Sequence, residues 1–236
     1  MSTLMEAVGR NIPDAQLDLF ADTDSDYEVR PIEKRMTHYF LLNIHYARRL
    51  PSISFAYGLF LKGELIGVIT YGMPASPSLC RGIAGDEWKE HVIELNRLCL
   101  LHNKPNEASR LVGASLRLLP PKKIVVSYAD TAQDHLGYVY QATNFLYTGI
   151  TVKRSEWAVK GLEHLHTKAL VNMTDGGGIE AMRGRFGDDF YYRERSQKHR
   201  YIYFVGSKTQ RKHFMKALKY PILSFPKNKT PSLKNG

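Results

Sequence analysis

Apolar and polar positions change period several times along the chain, and each change predicts an element. Residues 124–129 form an apolar run closed by Asp130, the pattern of a buried strand with a carboxylate at its carboxyl end. Over 134–143 the period becomes helical: Asp134 is the expected N-cap, and Leu136, Val139, Tyr140 and Thr143 share a face. Asn144 and Phe145 end that helix, and 146–152 alternates again as a strand. Upstream, residues 29–32 read as a first strand, followed by a helix through 47–49 that carries His45 and Tyr46. Two apolar runs, 55–61 and 65–71, flank Lys62-Gly63-Glu64 and predict a hairpin. Residues 72–86, with Pro74, Pro77, Gly82 and Gly85, read as a long loop.

The run 92–101 returns to strand with Arg97 inside it, and a cation in an apolar strand calls for a partner or an anionic ligand. A turn over 102–106 then leads into a helix over 107–119, which Pro120-Pro121 stops. Asn103, Ser109, Arg110 and the free amides at that helix start are candidate phosphate ligands. Beyond residue 152 the pattern is less regular, until a closing strand at 201–205 and a basic helix at 208–220. The glycines 176–178 read as a flexible loop rather than a phosphate cradle, because the strand, Lys and Ser/Thr of such a cradle do not accompany them. His164 and His166 are spaced as metal ligands can be, yet no further ligands lie nearby in sequence.

Composition narrows this picture. The chain has 236 residues with 43% hydrophobic and 11% aromatic content, enough for a packed core. No apolar run is long enough to cross a bilayer, the start lacks a secretory pattern, and Cys80 and Cys99 are too few for a disulfide scaffold, so a cytoplasmic protein is expected. Net charge is +10, unevenly spread: residues 1–28 hold seven acids and one base, leaving 32 bases against 16 acids in the rest. That asymmetry points to a polyanionic partner, with nucleic acid leading, and divides the chain into an acidic flexible tail (1–28), a catalytic domain (29–220) and an extended tail (221–236).

Nine Lys/Arg against one acid in 193–219, interleaved with Tyr201, Tyr203 and Phe204, suit phosphates and stacked bases of single- or double-stranded DNA. Arg193, Arg195, Lys198, Arg200, Lys208, Arg211 and Lys212 are the candidate DNA ligands. In the acidic tail, Gln16-Leu17-Asp18-Leu19-Phe20 resembles the peptide by which bacterial replication and repair proteins dock on the DNA polymerase sliding clamp. Leu19 and Phe20 would be the apolar anchors, with Leu17 beside them and Gln16 fixing register; the alternative is one amphipathic turn packed on the body.

The order of elements resembles the GNAT acyltransferase fold, a mixed central sheet flanked by helices, here with a basic C-terminal extension. Tyr140-Gln141-Ala142-Thr143-Asn144-Phe145 is similar to that superfamily's Y-x-x-x-G-F helix, whereas its glycine-rich pyrophosphate loop is replaced by His102-Asn103-Lys104-Pro105-Asn106-Glu107-Ala108-Ser109-Arg110. A closer resemblance, from about 55 to 203, is to the phage Mu Mom family of DNA-modifying proteins. It is carried by Ala56-Tyr57-Gly58, Glu94-Leu95-Asn96-Arg97-Leu98, Ser127-Tyr128-Ala129-Asp130, His135-Leu136-Gly137 and Lys198-His199-Arg200-Tyr201. The resemblance implies carbamoylmethylation of the exocyclic amine of adenine in phage DNA, which shields it from restriction, in a bacterial host infected by or carrying a phage.

Acetyl-CoA or a related acyl donor goes with such a fold, and Arg97, Ser109 and Ser115 are expected to face it, beside Asn103 and Arg110. Attack of a weak adenine amine at the carbon next to a carbonyl is not simple acyl transfer, so a metal or a radical step is a further expectation. His45, Tyr46, Asp130 and Tyr140 offer an iron donor set, and Asp130, Tyr140, Tyr128 and His135 are the candidate catalytic residues. Two other readings stay open: an ordinary acyltransferase acting on protein or RNA amines, and a non-catalytic module binding DNA or the sliding clamp.

Overall fold

The computed structural model describes residues 26–165 and 167–227. The clamp-like peptide (Gln16, Leu17, Leu19, Phe20) and His166 therefore lie outside the described residues. Among the described residues, nine strands form two sheets. Strands β1 (Tyr27–Pro31), β2 (Phe55–Leu61), β3 (Glu64–Gly72), β4 (Val92–Leu100), β5 (Lys123–Asp130), β6 (Leu146–Ile150) and β9 (Lys198–Val205) make a seven-stranded sheet ordered β1-β2-β3-β4-β5-β9-β6. Strands β7 (Arg154–Val159) and β8 (Phe190–Arg195) make a two-stranded one. The helices are α1 (Pro77–Trp88), α2 (Glu107–Leu118), α3 (Tyr138–Ala142), α4 (Thr167–Asn172), α5 (Ile179–Phe186) and α6 (Lys208–Ala217). This is the mixed α/β fold the pattern predicts. The described residues divide into two compact units, one within 26–127, 139–145 and 202–219, the other within 128–138, 146–201 and 220–227.

In the first unit, β1, β2, β3 and β4 pair antiparallel in succession, and the β2–β3 hairpin turns at Lys62-Gly63 as expected. The β3–β4 ladder pairs Thr70 with Arg97 and then Tyr71 with Leu95, so Asn96 is an extra residue in a β-bulge. β4 and β5 run parallel, with Val92, Ile93 and Glu94 opposite Ile124, Val125 and Val126. At the next step the Ser127 hydroxyl donates to the Leu95 carbonyl at 3.0 Å. The core includes Phe40, Leu41, Val68 and Cys99, with Ile32, Ile53 and Leu65 packed against them. Both cysteines are buried, and burial raises each thiol, that of Cys99 to about 11.

In the second unit, the β7–β8 ribbon packs Val159 and Phe190 against Leu170 of α4 and Met182 of α5, closed by Trp157, Leu162, Leu165 and Phe186. Next to β6, the buried Arg200 donates to Thr148 Oγ1 (2.9 Å) and to the Thr148 carbonyl (2.8 Å), and its guanidinium lies 3.3 Å from the centre of the Tyr220 ring.

Several expectations are corrected. The acidic tail does not reach residue 28 as loose chain, since β1 begins at Tyr27. The helix expected through 47–49 is instead a 3-10 turn (Lys34–Thr37) and a π-helical turn (Phe40–Ile44), after which His45 is extended. The 72–86 loop contains α1, because Pro77 at a first helical position costs nothing and the Ser76 hydroxyl caps the Leu79 amide. Gly85, at φ 75°, then kinks that helix. The helix expected over 134–143 shrinks to Tyr138–Ala142, since Asp134 (φ 52°) and Gly137 (φ 73°) are both left-handed. A Cβ on Gly137 would stand 2.5 Å from the Tyr201 ring, and the Tyr201 hydroxyl donates to the Leu136 carbonyl. Strand β7 was not legible at all, and β6 stops at Ile150 rather than residue 152.

Candidate functional site

The bulge in β4 organises the polar groups of the first unit. Asn96, the extra residue, accepts a hydrogen bond from Thr70 Oγ1 at 2.6 Å and donates from Nδ2 to the Ser52 carbonyl at 2.8 Å. A bulge bends its strand and re-aims the side chains beside it. Arg97 follows directly. Its Nη1 donates to the Asn96 carbonyl at 2.6 Å, but its Nε is buried and has no hydrogen-bond partner among the described residues. Burial lowers the guanidinium's pKa, as does the repulsion of Arg49, while Tyr46 and Glu94 work in the opposite sense. A half-buried guanidinium with one donor unspent is a site for an oxygen of a bound molecule.

His45 and Tyr46 come to the same neighbourhood through the π-helical turn, whose end is fixed by a 2.8 Å bond from the His45 amide to the Phe40 carbonyl. Their rings stack at 4.4 Å, and Tyr46 remains 60% exposed. Burial and the Arg97 charge push the His45 imidazole down to about 4, so it is neutral near pH 7. The Ala47 amide donates to Nδ1 at 3.1 Å, which leaves the proton of the neutral ring on Nε2 as a donor.

Tyr140, on α3, completes the group. Its ring is buried, and desolvation raises the phenol to about 12 despite a hydrogen bond with Ser127; Tyr46 and Glu94 add to the rise. Glu94, two residues before the bulged Asn96, thus acts on both Arg97 and Tyr140. It was missed in the sequence, although an acid three residues from Arg97 in an apolar run was the available signal.

The expected phosphate cradle is built differently. At the start of α2 the Glu107 carboxylate, 2% exposed, accepts from the Lys104 amide at 2.9 Å and from the Tyr27 hydroxyl at 3.2 Å. Ser109 Oγ turns back to the Asn106 carbonyl (3.1 Å), and the Arg110 guanidinium lies 4.7 Å from the centre of the Tyr27 ring. Asn103 is exposed, at a left-handed φ of 47°. The Ser115 hydroxyl is wholly buried, bonded to Tyr71 at 2.7 Å and to the Val112 carbonyl at 2.9 Å. The protein's own carboxylate thus occupies the helix start.

In the second unit Asp130 ends β5 as expected. Burial raises its pKa, but hydrogen bonds from Ser196 and from the Ala132 amide (3.0 Å), with Lys198 at 3.3 Å, outweigh that and hold the carboxyl below its usual range. It is an anion with its lone pairs largely engaged. Tyr128 is half-buried and adds to the environment of Arg200, and His135 is exposed in the loop before α3. Of the candidate DNA ligands, Arg193 and Arg195 are bridged to Glu156 (2.8 and 3.4 Å), Lys198 to Asp130, and Arg200 is buried. Lys208, Arg211 and Lys212 lie on α6, which opens with a Ser207–Gln210 capping box.

The residues present do not fit the expected iron. Among the described residues no three His, Cys, Asp or Glu side chains are grouped as a metal centre requires. The His45 ring presents an N–H, and Tyr140 is a phenol with its proton held by burial.

A family model described as the Mom protein family matches residues 26–227. The methylcarbamoylase mom of Escherichia phage Mu is 27% identical over 189 residues, which cover 78% of this chain and 76% of that protein. Among solved structures, a GNAT-family acetyltransferase from Bacillus cereus ATCC 10987 is 12% identical over 77% of this chain and 99% of its own, with a TM-score of 0.40. The aminoglycoside acetyltransferase AAC(6')-Ib in complex with ribostamycin and coenzyme A is 16% identical over 53% and 86%, with a TM-score of 0.39. At such scores these likenesses add nothing to the strand order itself. The match over 26–227 spans both units and every element described, and the chain belongs to the Mom protein family.

Proposed function

We propose that this protein is a transferase that modifies adenine in DNA, placing a carbamoylmethyl group on the exocyclic amine and so shielding the DNA from restriction. The observation that carries the reading is the unspent Nε of Arg97, held beside Glu94, Tyr46 and His45 in a chain of the Mom family. The amine forms one bond to the methylene carbon of the –CH2–CO–NH2 unit while the bond from that carbon to its leaving group breaks with its electron pair, and the amine gives up one proton. Arg97 suits the carbonyl oxygen of that unit, because a charge-assisted donor there stabilises negative charge gathering on the oxygen. This reading assigns Glu94 to take the amine's proton, since the lone pairs of Asp130 are engaged by three partners and its lowered pKa makes it the weaker base. The exposed Tyr46 ring, backed by His45, offers a flat surface for a base taken out of its stack, and His45 Nε2–H a donor for a ring nitrogen. Coenzyme A is the carrier class that goes with this reading, its thiolate being the group that leaves, and no step is routed through a metal.

Nucleoside mass spectrometry on plasmid DNA from bacteria expressing the protein tests this, wild type beside Arg97→Ala. A deoxyadenosine adduct heavier by a carbamoylmethyl group, lost in the variant, is expected. Unmodified DNA from cells containing the folded wild type would overturn the reading and turn attention to protein and RNA amines.

A further inference from the structure

The β7–β8 ribbon has two unlike faces. In an antiparallel pair, residues opposite one another share a face and successive residues alternate. Val159, Trp157 and Ser155 therefore share one face with Phe190, Tyr192 and Glu194, and that face carries the packing on α4 and α5. The other face sets Arg154 opposite Arg195, Glu156 opposite Arg193 and Ala158 opposite Tyr191. Like charges directly opposite one another destabilise a ribbon. Glu156 reaches Arg193 at 2.8 Å and Arg195 at 3.4 Å, but among the described residues no carboxylate lies within ion-pair distance of the exposed Arg154. Two guanidinium groups thus share one carboxylate, Arg193 being held further by a 2.8 Å bond to the Glu163 carbonyl, while Arg154 faces Arg195 without one. The arrangement costs stability in the free protein and is relieved by an added anion.

The base of the ribbon is tied to the carboxyl end of β5. The Thr131 amide and hydroxyl donate to the Gln197 carbonyl at 3.1 and 2.7 Å, the Gln197 side chain donates to the Thr151 carbonyl at 2.7 Å, and the Thr151 amide donates to the Lys198 carbonyl at 2.9 Å. Ser196 and Lys198, the residues following Arg195, are the ones that hold Asp130.

We propose that this ribbon is a docking arm for duplex DNA, with Arg154 and Arg195 taking phosphates along one groove. A two-stranded antiparallel ribbon has the width that the major groove, about 12 Å across, admits. Guanidinium forks pair with phosphate oxygens through two parallel bonds. Tyr191, exposed on the same face, adds a ring at the far end of the row. The charge of the chain beyond its acidic start favours the same class of partner. The inference rests on the reading of the protein as a DNA-modifying enzyme and specifies how the duplex is held.

The test is fluorescence anisotropy of the full-length protein on a short labelled duplex over a salt series, with the same oligonucleotide as a single strand in parallel. For the Arg154→Ala/Arg195→Ala double variant the slope of log affinity against log salt falls by about two, since each phosphate contact contributes about 0.9. The effect is expected on the duplex and not on the single strand. Glu156→Gln, which frees Arg193 and Arg195, strengthens duplex binding severalfold, a change that poor folding cannot mimic. An unchanged slope, or equal losses on duplex and single strand, would overturn the arm. Mass spectrometry of the DNA separates this from the wider reading. A modified base with an unchanged slope sinks only the arm, whereas no modified base from the wild type sinks the enzyme reading whatever the slope.

Discussion

Thr70 Oγ1 donates to Asn96 Oδ1 at 2.6 Å, and that one bond joins β3 to the residue that makes β4 bulge. Asn96 in turn holds the Ser52 carbonyl, so the aim of Arg97 depends on a side chain one strand away. Thr70→Val keeps the shape and removes the donor, leaving the amide oxygen unpaired. A loss of about 1–3 kcal/mol in urea unfolding is expected. DNA modification should fall further than the loss of folded protein accounts for, and an unchanged yield per folded molecule would detach the bulge from the site.

Arg97 separates binding from stability. Arg97→Met removes the buried Nε, which has no hydrogen-bond partner among the described residues, and forfeits only the Nη1 bond to the Asn96 carbonyl, so the melting temperature should hold or rise. Activity should drop by at least about tenfold, the equivalent of one charge-assisted hydrogen bond. Arg97→Lys keeps the charge without the fork and should not restore activity. A parallel fall in melting temperature and activity would make Arg97 a structural cation instead.

The neutral His45 gives the protein a pH dependence of definite sign. Its pKa is depressed in the folded state to about 4, against an ordinary histidine value of 6.5. Between these values the unfolded chain binds the extra proton, so this group's contribution to stability is whole above the upper value and is lost as pH falls towards 4. In NMR titrations the His45 ring should not shift until the pH nears 4. An inflection for His45 near 6.5 would contradict the burial described.

Glu107 bears on the donor. If a coenzyme A diphosphate approaches the start of α2, the carboxylate already there opposes it. Glu107→Gln should then tighten coenzyme A binding by roughly twofold to fivefold in calorimetry, the effect of one charge at a helix end. The same change should lower the melting temperature, because the Lys104 amide and the Tyr27 hydroxyl lose a charged acceptor. Unaltered affinity would mean that the diphosphate is held elsewhere.

Much of this architecture is legible in the pattern of side chains, because strong periods survive any packing. The hairpin, β4, α2 and β5 lie within one or two residues of where alternation puts them. Arg97 announces itself as a cation in an apolar run, and Asp130 as the acid at a strand end. What the pattern hides is set by backbone detail. Left-handed Asp134 and Gly137 shorten α3, and only the Tyr201 ring explains the second of them. The π-helical turn that delivers His45 has no period to read. Glu94 joins Arg97 and Tyr140 in a strand whose alternation the bulge at Asn96 disturbs, and nothing in a linear sequence marks an extra residue as a bulge. The partners of the basic stretch were hidden for another reason: charge counted along the chain does not show that Glu156 and Asp130 hold three of its nine cations, Arg193, Arg195 and Lys198.

The sealed thiols of Cys80 and Cys99 make the protein its own reporter. Both residues are buried, and the Cys99 group is a poor nucleophile with its pKa raised to about 11, so alkylation of the native molecule should be slow. Each modified cysteine therefore counts an opening event. With Cys80 on α1 and Cys99 inside β4, the two labelling rates time the release of the helix and the rupture of the sheet separately, without any probe having to be introduced.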